Sequence, residues 1–219
     1  MDRLKALREN TPTIFAPNCW GGLTYHSMGL EFCSPLINMH EPHDEYLRFL
    51  ADPKYYIDQE LQLQEMHFNE ATGKKFPITR LDDITLWMNH YNTFDEAKSA
   101  WERRKARIKW DNLFVMFFDD DPKKVEQFLS LPYEKKICFV PWETHIDGLI
   151  PVPYKEKQHT KDYPFWEIIN NMALGYFVLY DPVELILNAR YSKIGDLEYT
   201  NPPYKVDTKV DTTSQNLSR

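Results

Sequence analysis

The run Asn-Leu-Phe-Val-Met-Phe-Phe at residues 112–118 narrows the folds open to this chain more than any other segment. It has strand length and no polar alternation, which marks a strand covered on both faces. Strong helical signals flank it. On the upstream side Thr93 and Glu96 form a capping box in Thr-Phe-Asp-Glu. Phe94, Ala97, Trp101 and Ile108 then fall on one face at helical spacing, and Arg103, Arg104, Lys105 and Arg107 gather near the C-terminus, where positive charge is favourable. On the downstream side Asp121-Pro122 opens a helix that ends near Leu131, and Lys-Ile-Cys-Phe-Val at 136–140 reads as the next strand.

The same alternation begins earlier. Residues 11–17 read as a short buried strand, 18–22 (Asn-Cys-Trp-Gly-Gly) as a tight turn, 23–30 as a helix, 34–38 (Ser-Pro-Leu-Ile-Asn) as a strand and 41–50 as a helix. Asp52-Pro53 starts another short helix. Residues 61–68 and 76–81, joined through Gly73, read as a hairpin, and 84–89 (Ile-Thr-Leu-Trp-Met-Asn) as a buried strand. Asp181-Pro182-Val183-Glu184 opens a last helix with its own capping box. This order predicts a three-layer, Rossmann-like α/β fold: a mainly parallel sheet, made mixed by the hairpin, with helices on both faces. One domain is expected over residues 1–201, with a polar, disordered tail over 202–219.

Composition excludes several classes. The 219 residues, 42% hydrophobic and 15% aromatic, can bury one sizeable core. A formal net charge of −7 argues against nucleic acid as a partner. No stretch approaches the roughly 18 apolar residues of a membrane span, and the N-terminus lacks the apolar centre of a signal peptide. Cys19, Cys33 and Cys138 form no Cys-x-x-Cys pair, which fits a reducing compartment and predicts a cytoplasmic protein.

In open α/β sheets ligands bind beyond the carboxyl ends of the strands. The segments that follow the predicted strands are therefore the candidate site. The first carries Asn18, Cys19, Trp20, Gly21 and Gly22, read as substrate-binding apart from Cys19; the glycine pair could cradle an anion on the helix that follows. Cys19 is a candidate nucleophile if His90 or His145 activates it, and an inert buried thiol otherwise. His90 and Tyr91 follow the strand at 84–89. Asp119, Asp120 and Asp121 follow the strand at 112–118: Asp119 and Asp121 could hold Mn²⁺ or Mg²⁺ against a diphosphate, with Asp119 and Asp120 touching substrate, although Asp121 has an alternative role as helix cap. Trp142, Glu143 and His145 follow the strand at 136–140, with Glu143 and His145 read as base and orienting group. His26, His40 and His43 read as structural or solvated.

The Cys-Trp-Gly-Gly turn, the His90-Tyr91 pair and the helix Trp101-x-x-Arg104-x-x-Arg107-Ile108 together resemble a bacterial family, domain of unknown function 1919, over roughly residues 11–190. The matching positions are Asn18, Cys19, Trp20, Gly21, Gly22, Ser34, Pro35, His90, Tyr91, Trp101, Arg104, Arg107, Asp111 and Asn112. Members are often labelled exopolysaccharide biosynthesis proteins, so the resemblance implies a role in exopolysaccharide or capsular polysaccharide assembly. Three functions follow as expectations. The first is a glycosyltransferase-like transferase using an activated sugar. The second is a glycan-acting hydrolase or acyltransferase with Cys19 as nucleophile. The third is an accessory protein that binds polysaccharide assembly proteins through exposed aromatics such as Trp20 and Trp142.

Overall fold

A computed structural model describes residues 2–152, 164–175 and 180–191. The expected tail at 202–219 lies outside the described residues. In chain order the first elements are α1 (Arg3–Glu9), β1 (Thr13–Phe15), α2 (Trp20–Ser27), α3 (His43–Ala51), α4 (Pro53–Asp58), β2 (Gln62–Asn69), β3 (Lys74–Leu81) and β4 (Ile84–Trp87). They are followed by α5 (Phe94–Lys105), β5 (Leu113–Phe118), α6 (Pro122–Ser130), β6 (Lys136–Val140), β7 (Leu149–Pro151), α7 (Phe165–Ala173) and α8 (Pro182–Asn188).

The apolar run at 112–118 becomes β5, second in a four-stranded sheet of order β1-β5-β6-β7 whose neighbours are all parallel. Because side chains alternate along a strand, this sheet feeds two cores. Ile14, Phe114, Met116, Phe118, Ile137, Phe139 and Ile150 point to one face, where Trp20 and Tyr25 of α2, Ile168 and Ile169 of α7 and Leu185 of α8 cover them. Phe15, Val115, Phe117, Cys138, Val140 and Leu149 point to the other, beneath Tyr46 and Phe49 of α3, Trp101 of α5 and Phe128 of α6. Each fully buried aliphatic or aromatic side chain contributes about 1.5–3 kcal/mol, so the predicted α/β layering has ample support.

Capping fixes several helix starts as expected. Asp52 accepts from the Tyr55 N–H, Asp121 from Lys123 and Asp181 from Val183 and Glu184. Thr93 accepts from the Glu96 N–H, while the Glu96 carboxylate reaches back to the Asn92 N–H.

Three local expectations change. The hairpin does not join the parallel sheet: β2, β3 and β4 form a separate antiparallel sheet. Residues 34–38 are not a strand. Pro35 has no N–H to give a ladder, the Ser34 hydroxyl captures the Leu36 N–H, Ile37 bonds back to the Pro35 carbonyl, and Asn38 is left-handed at φ 63°. The Gly21-Gly22 pair is not a turn but the first turn of α2. A Cβ on Gly21 would stand 3.2 Å from the Ala16 Cβ, and one on Gly22 would stand 3.2 Å from the Ile37 Cγ2. Glycine suits both positions because it lets α2 lie this close to the β1 exit and to the 34–38 segment. The sequence reading also missed α1, β7 and α7. Both α1 and β7 are short, and β7 spans only Leu149–Pro151.

Candidate functional site at the strand ends

All four strands of the main sheet run the same way, so the loops that leave β1, β5 and β6 share one edge. β4 belongs to the other sheet, yet its exit reaches the same place. The link is the segment at 40–41: His40 and Trp87 exchange both backbone hydrogen bonds, at 2.9 and 2.8 Å, and the Glu41 N–H donates to the Pro17 carbonyl at 2.9 Å. The β4 exit is thereby tied to the β1 exit.

Cys19 sits at the N-cap of α2, half-buried, with its Sγ 3.3 Å from the His90 Nε2. The N-cap position lends a thiolate the positive end of the helix. Its neighbour Asn18 is buried and turns the chain into the helix, its Oδ1 accepting from the Trp20 N–H at 3.0 Å. Trp20, expected at a binding surface, is instead 1% exposed; it stacks on Phe114 and meets Phe139 edge-on. It anchors α2 in the core and cannot serve as an exposed aromatic contact.

His90 is held from the opposite side. The Tyr91 N–H closes a turn onto the Met88 carbonyl, and the Tyr91 hydroxyl donates to the Ile37 carbonyl at 3.1 Å. Arg104 of α5 donates to that hydroxyl at 2.5 Å and lies over the Phe32 ring. Burial raises the Tyr91 phenol above its ordinary pKa and outweighs the lowering effect of Arg104, so Tyr91 stays a neutral donor. Arg104 is only 5% exposed, and a buried guanidinium without partners costs several kcal/mol. The Tyr91 and Ile37 oxygens therefore fix both Arg104 and the start of the loop that bears His90. Trp101 of the same helix is core, and Arg107 pairs with Glu31 near the surface.

Asp119 ends β5 beside the β1 exit, 7% exposed. Its Oδ2 meets the His43 Nδ1 at 2.7 Å, and its Oδ1 accepts from the Asp121 N–H at 2.8 Å. Burial pushes this carboxyl up, but the His43 and Asp121 hydrogen bonds and the charge of Lys124 outweigh it, and the net pKa is below the ordinary value. The His43 ring is wedged against Phe117 and Phe118 at 5.1 and 4.6 Å between centroids. Asp121 caps α6 and Asp120 is exposed. The expected Mn²⁺ or Mg²⁺ clamp of Asp119 and Asp121 thus finds both Asp119 oxygens and the Asp121 Oδ1 already engaged. Among the described residues no group of three or more His, Cys, Asp or Glu side chains is placed to hold a metal ion.

The β6 exit differs. Trp142 packs partly into the core, while Glu143 and His145 are exposed on the loop to β7. They share the edge without joining the buried constellation. Sequence reasoning set aside His40 and His43 and did not single out Glu41. No local pattern could reveal His43, because its partner Asp119 lies far along the chain. Glu41 is fully buried, and neither carboxyl oxygen has a hydrogen-bond partner among the described residues. Burial, helped by nearby Glu45, raises its pKa well above the usual carboxyl range.

All three cysteines are thiols. Burial raises Cys33 and, more strongly, Cys138 above the ordinary thiol value. Among the described residues no helix is long and apolar enough to cross a membrane.

Comparison with known proteins places these features in a family. The sequence pattern described as Domain of unknown function (DUF1919) matches residues 1–180. An uncharacterized protein of Haemophilus influenzae is 32% identical over 138 residues, 62% of this chain and 64% of the relative. The matched part thus falls just short of two thirds of that relative's length.

Proposed function

The chain belongs to the family of domain of unknown function 1919, and on that footing we propose that it is a thiol-dependent acyl-group transferase or hydrolase. The single observation that carries this reading is the 3.3 Å approach of the Cys19 Sγ to the His90 Nε2 at the N-terminus of α2. A nucleophilic thiol requires a base within hydrogen-bond reach and a positive environment for its thiolate, and both are supported here. His90 takes the thiol proton, Cys19 attacks the acyl carbon, and His90 returns the proton to the leaving group. The developing oxyanion lies at the positive end of α2, whose first-turn N–H groups have no acceptor within the helix.

The acceptor in this proposal is a hydroxyl of a surface glycan, in the polysaccharide assembly that the resemblance implies. An activated-sugar transferase has less support, because both oxygens of Asp119 and one of Asp121 are already taken by hydrogen bonds within the protein.

The test is acylation by p-nitrophenyl acetate. A burst of one equivalent of p-nitrophenolate and an acetyl group on Cys19 by mass spectrometry are expected, both absent from Cys19→Ala. Acetylation elsewhere with Cys19 unmodified would sink the proposal.

A further inference from the structure

The constellation contains a second imidazole that the thiol chemistry just described does not use. Asp119 is an acceptor on both oxygens and, with its lowered pKa, is ionised at neutral pH. A carboxylate can only accept hydrogen bonds. His43 must therefore carry its proton on Nδ1, toward the Asp119 Oδ2 at 2.7 Å. That leaves Nε2 as the ring nitrogen turned away from the carboxylate, the one that bears the lone pair when the imidazole is neutral. An ionised carboxylate that orients a histidine in this way is a recurrent feature of general bases.

The surroundings hold this base in place. Asp119 is itself locked by the Asp121 N–H, and Phe117 and Phe118 clamp the imidazole. The His43 side chain keeps 21% of its surface exposed, so the imidazole is not sealed in the core. The position follows from topology. β1 and β5 are adjacent parallel strands, with Phe15 level with Val115, so Asp119 leaves the sheet beside the loop that carries Cys19. The Glu41 N–H on the Pro17 carbonyl brings the segment bearing His43 to the same loop.

We propose that His43, oriented by Asp119, is the general base that activates the acceptor hydroxyl or water in the second half of the reaction. This rests on the thiol reading above. In the first half a bond forms between the Cys19 Sγ and the acyl carbon, and the bond from that carbon to the leaving oxygen breaks. In the second half a water or alcohol O–H gives its proton to the His43 Nε2, its oxygen attacks the thioester carbon, and the C–S bond breaks. The Cys19 thiolate returns to its place beside His90, where the pair takes up one proton from solvent, and His43 gives its own proton to solvent, so the enzyme regains its starting state. Water as acceptor gives hydrolysis; a sugar hydroxyl gives transfer.

The experiment follows the burst and the steady-state release of p-nitrophenolate from p-nitrophenyl acetate in the whole protein, His43→Asn and His43→Ala. Asparagine can keep a side-chain N–H toward Asp119 but supplies no base. His43→Asn is expected to keep the burst within about twofold and to lose about a hundredfold in steady-state turnover, leaving acetyl-Cys19 as the accumulated species. Added imidazole, after its own reaction with p-nitrophenyl acetate is subtracted, is expected to raise turnover in His43→Ala while leaving wild type and His43→Asn unchanged, a selective rescue that a merely structural histidine would not show. Wild-type turnover in His43→Asn would overturn the assignment while leaving the thiol reading intact. Loss of burst and turnover together would also overturn it, by placing His43 with the nucleophile or with folding. A wild-type protein that shows no burst would instead remove the thiol reading on which the assignment stands.

Discussion

The loop after β1 and the loop after β6 leave the same edge of one parallel sheet and carry similar chemistry, yet they are built in opposite ways. The first offers Cys19, half-buried at a helix N-cap and met by His90 at 3.3 Å, with Asn18 buried beside it. The second offers Glu143 and His145, both exposed to solvent. The first loop is also tied down by the Glu41 N–H on the Pro17 carbonyl, and the loop bearing its partner His90 is held through Tyr91 and Arg104 to Ile37. Residue type and strand-end position alone do not separate the two loops. Burial and tertiary partners do, because a low-dielectric, preorganised setting strengthens a polar contact that water would compete for.

The largest expected effect comes from removing the nucleophile. Cys19→Ala should lower turnover of p-nitrophenyl acetate by about a thousandfold or more, while thermal melting stays near wild type because Cys19 is only half-buried. Next is the support of His90. Arg104→Lys replaces a planar fork with a point charge and cannot hold the Tyr91 hydroxyl and the Ile37 carbonyl alike. It should cost about tenfold in kcat, with KM little changed, measured in the same assay.

A smaller effect concerns stability. Glu41 is buried with its pKa raised, so folding favours its protonated form. Above the ordinary carboxyl pKa the native state holds more protons at this group than the unfolded chain does. The stability it contributes is therefore complete below that value and is lost as pH rises toward the native pKa. Glu41→Gln should melt close to wild type at pH 4 and higher by about 3 °C or more at pH 8. Equal melting temperatures at pH 8 would show that Glu41 finds a partner for its charge. The smallest effect is expected at the other loop: Glu143→Ala with His145→Ala should alter turnover by no more than about twofold. A loss as large as that from Cys19→Ala would erase the distinction between the two loops.

Much of this could be read in the sequence, and the boundary between what could and what could not is physical. The run at 112–118 announced a strand buried on both faces because period and polarity are local properties, and the caps at Asp52, Thr93, Asp121 and Asp181 are local as well. The reading of 34–38 as a strand failed because Ser34 and Asn38 impose turn geometry that an apolar count overlooks. The Gly21-Gly22 pair looked like a turn because glycine marks both turns and close helix packing, and only Ala16 and Ile37 reveal which applies. The candidate site divides in the same way. Cys19 and His90 could be nominated as residue types at strand ends, but their 3.3 Å contact depends on how the hairpin sheet docks on the parallel one. His43 could not be nominated at all, since Asp119 meets it only through the fold.

The central claim is that His90 activates the Cys19 thiol as a nucleophile, and alkylation tests it most directly. The rate of iodoacetamide labelling at each cysteine, read by mass spectrometry at pH 6.5 in the whole protein and in His90→Gln, needs no substrate. Buried Cys33 and Cys138, both with raised pKa, serve as internal controls. The account predicts that Cys19 labels about tenfold or more faster than either control, and that His90→Gln removes most of that advantage. Labelling of Cys19 at the same rate in both proteins would refute it.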